Sequence, residues 1–222
     1  MNSKTELWEE AFKTDPRHVK PITGKAYKGN SPKPYWLIQR ATELFGPVGI
    51  GWGVNVKSQE FMRMGEHDVL HHAVVSVWYV WKGERAESFD QMGGTKAAYM
   101  SSKGALIVDE DAGKKSVTDG MVKCLSMIGF AGDIFSGMWD DSKYVEQVGR
   151  EFEDADRAKE RQLWLDATAM AIESSDTKEE LEKAWKAAVA VTKAEQDTDA
   201  YETLKPIMER MAATIKSKQG TA

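Results

Sequence analysis

Asp109–Phe135 reads DEDAGKKSVTDGMVKCLSMIGFAGDIF, and the reading of this stretch decides the fold. Three carboxylates, Asp109, Glu110 and Asp111, open it, and Lys114 and Lys115 follow. From Ser116 to Ile128 the pattern is amphipathic. Val117, Met121, Leu125 and Ile128 recur at steps of four, four and three, the spacing of one apolar helix face. Lys115, Asp119, Lys123 and Ser126 fall on a neighbouring polar face. Gly129 stops the helix and Gly132 reinforces the stop. The spacing therefore predicts a helix docked by one side, with its lysines facing something else.

Working upstream, Gly93–Gly104 (GGTKAAYMSSKG) reads as a flexible connector carrying Lys96 and Lys103. Before it, Gly51–Phe61, Val69–Trp81 and Arg85–Met92 read as three strands, with a short turn at Lys82-Gly83-Glu84. Val69–Trp81 is the strongest of them, rich in Val, Trp and Tyr and free of breakers. Tyr35–Phe45 reads as a helix with Leu37, Ile38, Ala41, Leu44 and Phe45 inward, and Ser3–Lys13 as a short one with Leu7, Trp8, Ala11 and Phe12 as its stripe. Thr14–Pro34 contains Pro16, Pro21, Pro32 and Pro34, and reads as a loop. The expected class is α+β: a β-β-β-α core, a curved antiparallel sheet with a helix across it, plus a C-terminal helical module.

Downstream, Gly137–Asp141 is a turn, and from Val145 the chain is helical and charged. Leu163, Ala167, Met170 and Ala171 form a first stripe, ended at Ser174–Thr177. Thr177 and Glu180 make a capping box for a second helix carrying Leu181, Trp185, Ala188 and Val189. After a break at Gln196–Asp199, Tyr201, Leu204, Ile207, Met208 and Met211 mark a third. Two domains are expected, 1–149 and 150–222.

The 222 residues, 41% of them hydrophobic, can build a real core, and no run approaches a membrane span. The start, MNSKTELWEEAF, has no apolar signal core, and Cys124 is the single cysteine, so a reducing cytoplasm is expected. His71 and His72 are neighbours in a strand and point to opposite faces, so they do not chelate together. No metal or cofactor is expected. The net charge of −5 is uneven: residues 1–150 are neutral and 151–222 carry the whole excess. Within 13–40, seven basic residues stand against Asp15 alone. Lys20, Lys25, Lys28 and Lys33 there surround Tyr27, and basic residues interleaved with an aromatic suit single strands: lysines take phosphates, a ring takes a base face.

Three motif readings fail on order or spacing. Gly49-x-Gly51-x-Gly53 lies between a helix and a following strand, the reverse of a dinucleotide fingerprint. Gly113-Lys114-Lys115-Ser116 lacks the upstream glycine of a P-loop, with Asp109 in its place. Asp109, Glu110 and Asp111, three acids in a row, suit a helix N-terminus better than one magnesium ion, although a metal-dependent nuclease stays as an alternative. No catalytic residue is expected.

Two segments, Tyr35–Trp52 (YWLIQRATELFGPVGIGW) and Ser116–Gly129 (SVTDGMVKCLSMIG), with a β-hairpin between, resemble the Rad fifty-two-like single-strand annealing proteins, the phage Sak-type recombinases most of all. The pieces that carry the resemblance are Glu43-Leu44-Phe45-Gly46 before Gly51-Trp52, and Thr118-Asp119-Gly120 in the later helix. Lys13-Thr14-Asp15-Pro16 and Trp139-Asp140-Asp141-x-Lys143-Tyr144 add to it, so that it covers roughly residues 10–145. The resemblance implies ATP-independent binding and annealing of single-stranded DNA in homologous recombination, by a ring or helical homo-oligomer in the host cytoplasm. Lys123 matches the family's basic positions after Thr-Asp-Gly, and Lys25 and Lys28 those on the loop before the Tyr35 helix. Val122 and Ser126 depart from the basic residues of eukaryotic members, which shifts weight to Lys25, Lys28, Lys103, Lys114 and Lys115. The full expected DNA-binding set is Lys25, Tyr27, Lys28, Lys33, Lys96, Lys103, Lys114, Lys115 and Lys123. For the acidic C-terminal module an exonuclease or a host single-strand-binding protein is the expected partner. The alternative reading makes the chain a protein-interaction scaffold that works through that module.

Overall fold

The computed structural model describes residues 4–23 and 28–219; Lys25 and Tyr27 lie outside them. The chain divides into two compact units, Met1–Gly149 and Arg150–Ala222. The first is α+β, a curled antiparallel half-barrel with a helix laid across it. Its elements are α1 (Glu6–Ala11), β1 (Val19–Pro21), β2 (Asn30–Pro32), α2 (Pro34–Phe45), β3 (Trp52–Arg63), β4 (Val69–Trp81), β5 (Glu84–Arg85), β6 (Phe89–Met100), β7 (Leu106–Val108), α3 (Ala112–Met127) and α4 (Gly132–Phe135). The main sheet has the order β3-β4-β6-β7, antiparallel throughout, with β5 pairing the end of β4. Val75 and Val77 on β4, Ala97 on β6 and Trp52 on β3 are buried, and α3 packs on β6 and β4.

The third strand differs from the sequence expectation. It does not span Arg85–Met92 but starts at Phe89 and runs to Met100, so the expected connector Gly93–Gly104 is largely strand. Gly93 marks a close approach rather than a turn. A Cβ on Gly93 would lie 1.9 Å from the Ser116 carbonyl oxygen and 2.5 Å from the Gly120 nitrogen. Strand and helix backbones touch there, which only glycine permits. The fourth strand, β7, was not expected.

The same closeness shapes α3. Its buried residues are Ala112, Ser116, Gly120, Met121, Cys124 and Leu125, while Val117 and Ile128 are half-buried. The stripe sits one residue earlier than the large apolar residues suggest, because small side chains occupy the seam against the sheet. The Ser116 hydroxyl donates to the His71 carbonyl at 3.0 Å, tying helix to β4. Cys124 is fully buried, and burial, helped by the Asp90 charge, pushes its thiol up to about 11. It stays protonated and inert at neutral pH.

Thr14–Pro34 is not a plain loop. Asp15 caps a short 3-10 turn at Pro16–His18, and β1 and β2 pair antiparallel in the register Val19↔Pro32 to Pro21↔Asn30. The prolines fit because a two-stranded sheet is all edge, and the non-proline N–H groups of Ile22 and Lys33 donate to Gly29 and His18. Burial opposes ionisation of Asp15, but hydrogen bonds from the Arg17 side chain and backbone outweigh it and hold the carboxyl below its ordinary value.

Asp133 is the polar centre of the first unit. It is fully buried. Its carboxylate accepts the Thr14 N–H at 2.9 Å, the Thr14 hydroxyl at 2.6 Å, the Ile134 N–H at 2.9 Å and the Tyr144 hydroxyl at 3.2 Å. The motif pieces around Thr14 and Tyr144 are thus joined through a residue neither contains. Asp133→Ala leaves several buried donors unpaired and is expected to cost about 3 kcal/mol or more, read as a lower urea midpoint. An unchanged midpoint would show that water replaces the carboxylate freely.

The boundary between the units falls within α5 (Ser142–Glu173). The second unit continues through α6 (Lys178–Ala194) and α7 (Thr198–Gln219). Its core is Leu165, Ile172, Leu181, Ala188, Ala200, Leu204 and Ile215, with Trp185, Ile207, Met208 and Met211 against it. Thr177 and Glu180 form the expected capping box. The expected stripe on α5 is corrected: Leu163 and Met170 are 60% and 66% exposed, and Leu165 and Ile172 face the core instead. The α6–α7 junction is held by Asp197, which accepts from Arg161 at 2.8 Å and from the Ala200 N–H at 2.9 Å. The Arg161 hydrogen bond, then that of Ala200, lowers the Asp197 carboxyl to about 2. A depressed carboxyl stabilises the fold above its ordinary value of 3.8 and ceases to do so as pH falls toward 2. Wild-type Tm should therefore drop over that window, and Asp197→Asn should lower Tm at neutral pH and flatten the drop. No described helix is long and apolar enough to cross a membrane.

Candidate nucleic-acid interface

The N-terminal half of α3 faces the end of β2 and the start of α2 across an open cleft of about 360 Å³. Ser31, Pro32 and Pro34 form one wall; Asp111, Lys114, Lys115, Thr118, Asp119 and Val122 form the other. α3 places these side chains in register, since residues three and four apart share a face. The lysines are engaged within the wall. Lys114 Nζ lies 2.7 Å from Asp111 and Lys115 Nζ 2.6 Å from Asp109. These hydrogen bonds raise both lysines above their ordinary values and lower Asp111. All four groups reach solvent, and exposed pairs of this kind contribute little, so a phosphate can exchange with either carboxylate.

Two tyrosines lie on adjoining elements. Tyr35, the residue after Pro34 on the cleft wall, is 80% exposed in the first turn of α2. Tyr99 on β6 lies under Lys96, whose Nζ is 5.5 Å from the ring centroid, and within electrostatic reach of Lys115. Lys96 also pairs with Asp68, its Nζ 3.7 Å from the carboxylate. Lys33 caps α2, and its Nζ donates to the Arg17 carbonyl at 2.9 Å.

The remaining expected residues scatter. Lys123 donates to Asp119 at 2.8 Å and to the Met92 carbonyl at 3.1 Å, strapping α3 to β6. Lys103 lies in the turn between β6 and β7, and Lys28 is exposed near the start of β2. Lys25 and Tyr27 lie outside the described residues. The Thr118-Asp119-Gly120 piece has a structural basis: Asp119 accepts the Gly94 N–H at 3.1 Å, and Gly120 has no room for a Cβ against Val75. Asp109 and Asp111 turn toward different lysines, and among the described residues no three His, Cys, Asp or Glu side chains gather as a metal site. Sequence reasoning missed Tyr35 and Tyr99. Tyr35 was absorbed into a helix and Tyr99 into a connector; the available signal was an aromatic beside a lysine, Lys33 for one and Lys96 for the other.

No family model matches the chain, and no curated protein matches it.

Proposed function

We propose that this chain binds single-stranded DNA along the α3–β2 cleft and anneals complementary strands without nucleotide hydrolysis, working as a homo-oligomer. The observation that carries the reading is the open cleft that sets Lys114 and Lys115 on α3 opposite the β2–α2 wall, with the exposed Tyr35 next to that wall in sequence. Lysines neutralise phosphates and rings accept base faces, so the Watson–Crick edges stay free for a second strand. The antiparallel strands followed by α3 support the resemblance drawn from Tyr35–Trp52 and Ser116–Gly129, with β7 as an additional strand before the helix.

The test is filter binding of mixed-sequence oligonucleotides across a salt series. With about four phosphates neutralised per subunit at about −0.7 each, the log–log slope should be near −3. Complementary oligonucleotides should anneal faster with protein and without ATP. A flat salt response would remove the cleft from the argument.

A second reading rests on α5. Leu163, Ala167, Met170 and Ala171 form an exposed apolar stripe on an acidic unit, which supports a protein-docking role for the C-terminal module. An exonuclease or a single-strand-binding protein would suit the annealing reading as its occupant.

A further inference from the structure

Among the described residues the half-barrel has two edges with no further strand paired to them, β3 and β7. Exposed apolar edges are templates for pairing, and proteins that keep them monomeric usually blunt them. β7 carries neither charge nor proline, and β3 carries Lys57, Glu60, Arg63 and one bulge. Every residue from Asn55 to Phe61 is exposed, and so are all three of β7. Phe61 is 68% exposed on one edge, and Leu106 and Val108 are 57% and 65% exposed on the other. β3 contains no proline, and its bulge at Lys57 leaves Ser58–Arg63 as an unbroken edge.

We infer that copies of this chain join head to tail, β7 of one copy pairing antiparallel with β3 of the next, so that one sheet runs through the assembly. Strand direction supports it. The three junctions β3–β4, β4–β6 and β6–β7 are antiparallel, so β3 and β7 run in opposite senses. A second copy added in the same orientation continues the alternation across the new junction. Such a heterologous contact closes into a ring or grows into a filament.

Backbone hydrogen bonding selects the residues. The Asp109 N–H donates to Ala97 and the Ser101 N–H to the Ala105 carbonyl. Residues 105, 107 and 109 therefore bond toward β6, and Leu106 and Val108 present their N–H and C=O groups outward. On β3, the Met64 N–H donates to the Asp68 carbonyl, and the register continues through Met62↔Leu70 and Glu60↔His72. Gln59, Phe61 and Arg63 then face outward. Pairing Leu106 with Phe61 and Val108 with Gln59 joins outward groups to outward groups. The same register sets Ile107 opposite Glu60.

The inference deepens the assembly half of the proposed function and rests on it, and it is tested without DNA. Glu60→Cys and Ile107→Cys are made separately in the full chain; the buried Cys124 thiol does not compete. Directly opposite residues that do not exchange backbone bonds lie about 4.5 Å apart at Cα, inside the range a disulfide spans. Under mild oxidation each single variant should stay uncrosslinked, their mixture should give covalent dimers, and the double variant a ladder. Dimers from Glu60→Cys alone or from Ile107→Cys alone would establish a two-fold contact and overturn the inference, as would a mixture that does not crosslink. Val108→Pro removes an outward N–H and no bond within the chain, so it should give monomers by native mass; intact oligomers would also overturn it. Salt-dependent DNA binding with no crosslink sinks this interface alone, and a crosslinked ladder that ignores DNA sinks the annealing reading alone.

Discussion

Gly93→Ala is expected to abolish stable folding of the N-terminal unit. The added Cβ would meet the Ser116 carbonyl oxygen at 1.9 Å and the Gly120 nitrogen at 2.5 Å, far inside van der Waals contact. Both obstacles are backbone, so no side chain can swing aside. β6 is fixed by pairing to β4 along nearly its whole length, and α3 by its own hydrogen bonds and by Ser116 on His71. Overpacking in a closed core costs about 1–3 kcal/mol and sometimes more, and here the relief would require separating the helix from the sheet. A loss of about 3 kcal/mol or more is a large share of the roughly 5–15 kcal/mol that holds a typical domain. Gly94→Ala is the control: its nearest neighbour would be the His71 carbonyl at 3.8 Å, ordinary contact. Urea denaturation of the two variants should separate them widely. Equal midpoints would mean that the strand–helix approach is looser than described.

The second large effect concerns the cleft. Tyr35→Ala should weaken single-strand binding by about 5- to 150-fold, the equivalent of about 1–3 kcal/mol for one lost stacking contact. Its ring is exposed, so folding should be unaffected. Lys114→Ala with Lys115→Ala should weaken binding as well, and should also flatten the salt slope by about 1.4, two phosphates at about 0.7 each. Asp111→Asn works in the other direction. It frees Lys114 from its 2.7 Å partner and removes a negative charge from the wall, so binding should tighten most at low salt. Fluorescence anisotropy with a labelled oligonucleotide reads all three. If Tyr35→Ala and the double lysine variant bind as wild type does, the strand lies elsewhere.

The α+β class, the bounds of β4 and the helix Pro34–Phe45 were legible because long periodic runs advertise themselves. The errors share a physical cause. Glycine reads as a turn in sequence, yet Gly93 is there because another backbone lies against it. Proline reads as a breaker, yet Pro21 and Pro32 sit in a two-stranded sheet with edges to spare. Large apolar residues read as core, yet α3 buries Ala112, Ser116, Gly120 and Cys124, and α5 leaves Leu163 and Met170 in solvent. Of the site, the lysines on α3 were legible and their acidic partners were in plain view, but the pairing of each was not. That Ser31, Pro32 and Pro34 face Lys114 and Lys115 across one cleft depends on how β2 and α2 lie beside α3, which no local pattern encodes.

The hydrogen bonds from Thr14 to Asp133 close a loop of 119 residues. Such a contact carries a high closure entropy and forms late, after the sheet and α3 have supplied something to dock on. During synthesis the wait is longer still, because Tyr144, which donates to the same carboxylate, must also have left the ribosome. At about 5–20 residues per second, Thr14 spends several seconds or more without its native partner. The Thr14 segment is thus expected to lock late, although it is made before the sheet it docks on.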